Sequence, residues 1–249
     1  MSARSNSTVE LLQNHVTIRS FKPDPVPQEI LDQILKGARR SPTSSNMQAY
    51  SMIVVQNPEV KQKLAEFAGN QKHVETCPVF IAFCADLHRL EQTCQLHDVK
   101  MSNNLETFLI ASIDASLVGM STQTAVESFG LGAVMIGAMR NHPEKVAELL
   151  ELPPNVYVVY GMCIGWPIEG DIPPQKPRLP ADLVIHQETY DQSDPHLKIQ
   201  AYDRELAEHY TTLGRNAHPA AWSGVIAKNL SKPLRSTFKA TLEGMGFNL

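Results

Sequence analysis

The stretch from Leu105 to Met139 restricts what this chain can fold into more than any other segment. Its apolar run is interrupted by Glu106, Asp114 and Glu127 and closed by Arg140. A membrane-spanning helix needs about 20 uninterrupted apolar residues, and no window of the chain reaches that. The stretch therefore reads as a buried helix over about 102–129 running into a strand at Ala133–Ile136. Small residues within it, Ala111, Ser112, Ala115, Ser116 and Gly119, let another helix or a ligand approach closely. An element this apolar needs a core around it. A chain of 249 residues, 43% of them apolar, can supply one.

Helix and strand signals alternate on either side. Val9–Asn14 reads as a helix with Leu11 and Leu12 inward. A second helix starts near Pro27, a residue suited to a first turn, with Ile30, Ile34, Leu35 and Ala38 as its apolar stripe. Ser51–Gln56 reads as a buried strand, and Asn57-Pro58 caps a helix through Leu64 and Phe67. Further strands are expected at Val79–Cys84 and Val156–Ile164. From Trp166 to Pro180 the chain is loop-like, with five prolines, and residues 195–249 read as a polar helical arm laid on another surface. Taken alone, the alternation suggests a parallel sheet. Net charge is −4, which gives no electrostatic footprint for nucleic acid or an anionic membrane. The N-terminus has no apolar segment behind its charge, so no signal peptide is expected. Four cysteines, Cys77, Cys84, Cys94 and Cys163, form no C-x-x-C pair, which fits a reducing compartment and a cytoplasmic protein.

Most chemical motifs fail on inspection. Gly130-Leu-Gly132 resembles the start of a dinucleotide fingerprint, but a helix precedes it and a strand follows, the reverse of the required order. No phosphate-binding G-x-x-x-x-G-K-[ST] or nucleophile-elbow G-x-S-x-G occurs. Cys84, His88, Cys94 and His97 could in principle hold zinc, but their spacing matches no standard finger or ribbon. Three separated segments carry more. They are the basic turn His15-Val-Thr-Ile-Arg19, the hydroxyl-rich turn Ser41-Pro-Thr-Ser-Ser45, and Lys176-Pro-Arg178. Brought together, two guanidiniums, an ammonium and several hydroxyls make a phosphate clamp.

On these segments the chain resembles the FMN-dependent nitroreductases. It is most similar to the branch of NADPH-using oxygen-insensitive nitroreductases and NADPH–flavin oxidoreductases. The resemblance runs from Val9 to about Trp222. It is carried, in order, by HVTIRSF (15–21), ARRSPTSSNMQAYS (38–51), GNQKHV (69–74), ESFGLGAVMIGAMRN (127–141), IGWP (164–167) and KPRLP (176–180). It implies an α+β fold: a central, mainly antiparallel sheet flanked by helices, one nitroreductase-like domain over 1–249, built as an intertwined homodimer. The arm at about 195–249 would wrap the partner, and FMN would lie at the interface, held by both subunits.

The resemblance also implies site roles. Arg19, Lys176 and Arg178 match positions gripping the FMN phosphate and its flanking groups, a dianion that calls for several cations. His15 and Thr17 match the other contacts of the first turn, Thr17 standing for a common serine. Thr43, Ser44 and Ser45 match the hydroxyl turn that meets the ribityl chain or flavin edge, and Gln71 a glutamine bonded to the ring system. Met135, Ile136, Gly137 and Ala138 match the segment along the isoalloxazine, where Gly137 permits close backbone approach. Ala138 departs from a frequent Gly-Gly pair, and Met135 stands where an aromatic can occur. The implied activity is hydride transfer from NADPH through bound FMN to nitroaromatics, quinones or free flavin, in a ping-pong cycle with no side-chain acid or base. Arg215 is the candidate for the NADPH 2′-phosphate, with Arg204, Lys228 and Arg235 behind it. The competing readings are a flavin-binding protein without turnover and a zinc-dependent interaction module.

Overall fold

A computed structural model describes residues 7–249. The chain folds into two compact units, the first running up to Pro173 and including Thr237–Leu249, the second Pro174–Ser236. In chain order the first unit contains α1 (Ser7–Gln13), α2 (Gln28–Ala38), β1 (Tyr50–Val55), α3 (Pro58–Phe67), α4 (Lys72–Thr76), β2 (Val79–Asp86), α5 (His88–Gln95), α6 (Leu105–Ser128), β3 (Gly132–Ile136), α7 (Pro143–Leu149) and β4 (Val156–Gly165). The second unit holds α8 (His196–Thr212) and α9 (Ser223–Leu230), and α10 (Phe238–Gly244) belongs to the first.

The four strands form one sheet in the order β1-β2-β4-β3, and every pairing is antiparallel. The sheet is the antiparallel one that the family resemblance implied, not the parallel one that alternation alone suggested. A helix between two strands does not by itself decide which end of the sheet the chain re-enters, and here it returns beside its neighbour in the opposite sense. The central strands β2 and β4 are buried along their whole length, which explains their unbroken apolar runs. β1, expected to be buried, lies on an edge and is mostly half-buried. Along β2, Val79, Ile81, Phe83 and Ala85 enter a core shared with α2, α6 and α10, while Phe80, Ala82 and Cys84 enter a second core with α3 and α7. This is the period-two alternation of a sheet covered on both faces.

The local signals act as expected. The Asn57 side chain accepts the Glu59 and Val60 N–H groups at the start of α3. Asn104 and Thr107 form a reciprocal capping box that starts α6. α1 differs from expectation, because Leu12 is exposed and Leu11 only half-buried; this short helix lies on the surface.

α6 is the spine of the first unit. Its small residues make room for tyrosines of the sheet. Tyr160 Oη donates to the carbonyls of Ala115 (3.2 Å) and Ser116 (3.3 Å), and Tyr157 Oη pairs with Ser112 Oγ at 3.0 Å. A Cβ at Gly119 would fall 1.7 Å from Tyr160 Oη, so no larger residue fits there. By length and composition α6 could cross a membrane, but one side of it is packed on the sheet. Its other side exposes Leu105, Leu109, Ile113, Leu117 and Met120, each 39–56% accessible.

In the second unit Tyr202, Leu206 and Ala221 form a small core. Asp203 of α8 accepts the backbone N–H groups of Trp222 and Ser223, both at 2.8 Å, and so fixes the start of α9.

Candidate functional site

Four of the predicted segments lie in the first unit. The basic turn lies along β3: Ile18 N–H donates to Ala133 O at 3.0 Å, and Lys22 N–H to Trp166 O at 2.8 Å. Gly132 makes this approach possible, since a Cβ there would sit 2.5 Å from Ile18 Cγ1. His15 is held from α6, its Nδ1 2.6 Å from Glu127 Oε1, and the Gln123 amide donates to the same carboxylate oxygen at 3.2 Å. Thr17 is half-buried and Arg19 exposed.

Arg19 stands close enough to α4 to act on His73. Burial, and then the Arg19 charge, hold the His73 imidazole below its ordinary range. Just before α4, Gly69 and Asn70 take positive φ (81° and 60°) and turn the chain into Gln71, whose Nε2 donates to Ala68 O at 2.9 Å. That bond fixes the amide while its oxygen keeps its acceptor capacity.

The hydroxyl turn sits further along α6. Ser44–Asn46 is a single 3-10 turn, and Ser45, Asn46 and Gln48 have positive φ (47°, 58° and 51°). Two contacts from α6 hold it. Ser41 Oγ donates to Ser121 Oγ at 2.7 Å, and the Asp114 carboxylate accepts the N–H groups of Ser44 and Ala49, both at 3.0 Å. Ser45, Asn46 and Gln48, with Arg39 and Arg89, line an open groove of about 720 Å³. Arg89 is fixed by donating to the carbonyls of Gln48 (2.7 Å) and Tyr50 (2.5 Å).

The fourth segment ends β3. Ile136 is buried and Met135 is exposed, while Gly137 and Ala138 open a 3-10 turn over Gly137–Asn141. Arg140 of that turn donates to Val159 O, tying it back to β4. A Cβ at Gly137 would meet Arg140 Nη2 at 3.4 Å.

Lys176, Arg178 and Arg215 lie in the second unit. Lys176 Nζ stands 5.6 Å over the Tyr210 ring, a cation–π contact, and Arg178 donates to Lys176 O at 3.1 Å. Tyr202 Oη donates to Pro177 O at 3.1 Å, laying this extended stretch on α8. Arg215 follows Gly214 (φ 67°) just beyond α8 and is exposed.

The donor set has a consistent chemistry. Among the described residues, the side chains of Thr17, Arg19, Thr43, Ser44, Ser45 and Arg215 have no hydrogen-bond or ion-pair partner. In the first unit the exposed Arg19 guanidinium, the Thr17, Thr43, Ser44 and Ser45 hydroxyls and the held Gln71 amide are groups of the kind that suit a ligand with an anionic end, a polyol and a ring of amide edges, as in FMN.

The zinc reading finds no support in the geometry. Cys84 is buried inside the sheet, where burial and the neighbouring Asp86 push its thiol up to about 12. Among the described residues no three His, Cys, Asp or Glu side chains gather as a metal would require.

Sequence reasoning missed Asp114, Ser121, Gln123 and Glu127 as supports. The signal was present, because Asp114 and Glu127 are among the acids that interrupt the long apolar stretch.

Comparison with known proteins identifies the family. The profile described as "Nitroreductase family" matches residues 12–166, and "Nitroreductase family, C-terminal domain" matches 176–249, so the likeness reaches the chain's end rather than stopping near Trp222. An FMN reductase (NAD(P)H) of Bacillus subtilis strain 168 is 39% identical over 248 residues, covering 98% of this chain and 99% of its own. The oxygen-insensitive NADPH nitroreductase of Salmonella typhimurium strain LT2 is 38% identical over 240 residues, covering 96% and 98%. The solved structure of the hypothetical oxidoreductase YcnD from Bacillus subtilis superposes with a TM-score of 0.94 at 38% identity, covering 98% and 99%.

Proposed function

The chain belongs to the nitroreductase family, and from that premise we propose that it is an FMN-dependent, NADPH-using reductase of nitroaromatics, quinones or free flavin. The observation that carries the reading is the match of nearly the whole chain to the family, with the exposed Arg19, Ser44 and Ser45 side chains presented by the basic and hydroxyl turns at the family's motif positions. FMN, when bound, supplies two-electron transfer between donor and acceptor. The chain's residues bind and orient it. Arg19, Lys176 and Arg178 would hold the phosphate and its flanking groups, and His15 and Thr17 would supply the other contacts of the first turn. Thr43, Ser44 and Ser45 would meet the ribityl chain or ring edge, and Gln71 and the segment Met135–Ala138 would meet the ring system. No side-chain general acid or base is assigned. Donor and acceptor use one site in turn, so double-reciprocal plots at several NADPH concentrations should be parallel; intersecting lines would contradict the shared site.

We further propose that the whole chain, 1–249, works as one nitroreductase-like domain in a homodimer. The exposed stripe of α6 supports this, because an apolar strip of this length on a helix calls for a partner surface. In that dimer FMN lies at the interface and the C-terminal arm reaches the partner. A cytoplasmic location is supported by four free cysteines, three of them buried. For dinucleotide choice, Arg215 meets the NADPH 2′-phosphate. Arg215→Ala should raise the NADPH KM about ten-fold and spare NADH use and FMN content; unchanged NADPH kinetics would move the assignment to Arg204, Lys228 or Arg235.

The deciding experiment is optical. The purified protein should be yellow and should bleach on anaerobic addition of NADPH. A yellow protein that does not bleach is a flavin binder without turnover, and a colourless one that takes up no FMN defeats the reading.

A further inference from the structure

We propose that Asp114 is a positioning residue of the cofactor site, a clamp that holds the hydroxyl turn in its binding shape. The inference rests on the FMN reading above. Asp114 is completely buried on α6, with the buried Ala111, Ala115 and Val118 about it on the helix, and no lysine or arginine pairs with it among the described residues. Its two oxygens serve two donors far apart in sequence from it: Oδ1 accepts Ser44 N–H and Oδ2 accepts Ala49 N–H, both at 3.0 Å.

Those two N–H groups bracket Ser45, Asn46 and Gln48, the three residues of this turn with left-handed backbone. Such conformations persist in non-glycine residues when the surroundings impose them. Here one carboxylate ties down the chain on both sides of the strained residues. The segment it closes carries the Ser44 and Ser45 hydroxyls, and Thr43 immediately precedes it. Their directions therefore depend on a group that is itself inaccessible to any ligand. A buried carboxylate in an apolar helix is costly unless its hydrogen bonds are complete, and a core-filling role alone would be met by an apolar side chain.

In Asp114→Asn one oxygen becomes an amide that faces an N–H group, so one end of the clamp opens. FMN titrated into the flavin-free variant, followed by fluorescence quenching, should bind about ten-fold or more weakly than into wild type. Hydrogen exchange should quicken in the 43–49 segment before it quickens elsewhere. Leu242→Ala, a core truncation in α10, serves as the control for general destabilisation and should leave the FMN dissociation constant within about two-fold of wild type. Equal FMN affinity in Asp114→Asn and wild type would overturn the proposal, and so would an equal loss in Leu242→Ala. Wild type that binds no FMN would instead defeat the functional reading, and the exchange measurement would still test the clamp.

If Asp114→Asn does not fold, the pair Ser44→Ala and Ser44→Pro tests the same link. Both lose the hydroxyl, but only proline also removes the N–H, and Thr43 is already extended (φ −137°, ψ 153°), as a residue before proline must be. Ser44→Pro should bind FMN about five-fold or more weakly than Ser44→Ala; equal affinity would overturn the clamp.

Discussion

Arg19 and Arg178 are the side chains on which the cofactor reading is most exposed to test. Each would donate charge-assisted hydrogen bonds worth about 1.5–3 kcal/mol to a dianionic end. Arg19→Ala or Arg178→Ala should therefore lower FMN affinity by at least about ten-fold with the fold intact, and FMN titrating equally into both variants and wild type would refute the assignment. A second consequence concerns alkaline pH. Burial, and then Asp86, push the Cys84 thiol from an ordinary 9.0 up to about 12, and burial pushes the Tyr160 phenol from 10.0 up to about 12. Both groups lose protons more readily in the unfolded chain, so their contribution is complete below pH 9 and fades as pH rises towards 12. Denaturant midpoints should fall across that window. Cys84→Ala should show a shallower fall than wild type, and parallel curves would show that the thiol is not a source of the effect.

At the scale of elements, the basic and hydroxyl turns of the candidate site are held by one helix and one strand edge. α6 reaches the hydroxyl turn through Asp114 and Ser121 and the basic turn through Gln123 and Glu127. The two turns are held by successive stretches of one rigid helix, Asp114 to Ser121 for the hydroxyl turn and Gln123 to Glu127 for the basic turn, so α6 fixes one relative to the other. β3 positions the basic turn from the other side, through Ile18 and the bare Gly132. Gly132→Ala would force a methyl group to within 2.5 Å of Ile18 Cγ1. Overpacking of this kind costs about 1–3 kcal/mol. FMN affinity should drop along with stability, because Thr17 and Arg19 flank the displaced residue. A variant that is less stable but binds FMN like wild type would separate the packing of Ile18 from the site.

At the scale of the whole molecule, the proposed homodimer would cover the apolar stripe of α6 with a second copy of the chain. Leu109→Glu combined with Ile113→Glu puts two charges in its middle, and the protein should sediment as a monomer and lose FMN, while wild type sediments as a dimer. A wild-type monomer that retains FMN would refute the interfacial site. Much of this architecture was legible in the sequence. The strands β2, β3 and β4, the long helix, the Asn57 cap and the segments bearing His15–Arg19 and Ser41–Ser45 follow from local periodicity, capping and turn chemistry, all of which act within a few residues. The antiparallel sense of the sheet was not legible in alternation, because helices between strands leave the direction of return open. Nor were the roles of Asp114 and Glu127, which the sequence records only as breaks in an apolar run. Their partners lie about 65–112 residues away, and only the packing of α6 against the sheet brings a carboxylate to Ser44 and Ala49 and another to His15. Residue type and spacing determined which groups are available for chemistry. Tertiary contact, through burial of polar atoms that must find partners, decided which of them are held in place and which are left to meet a ligand.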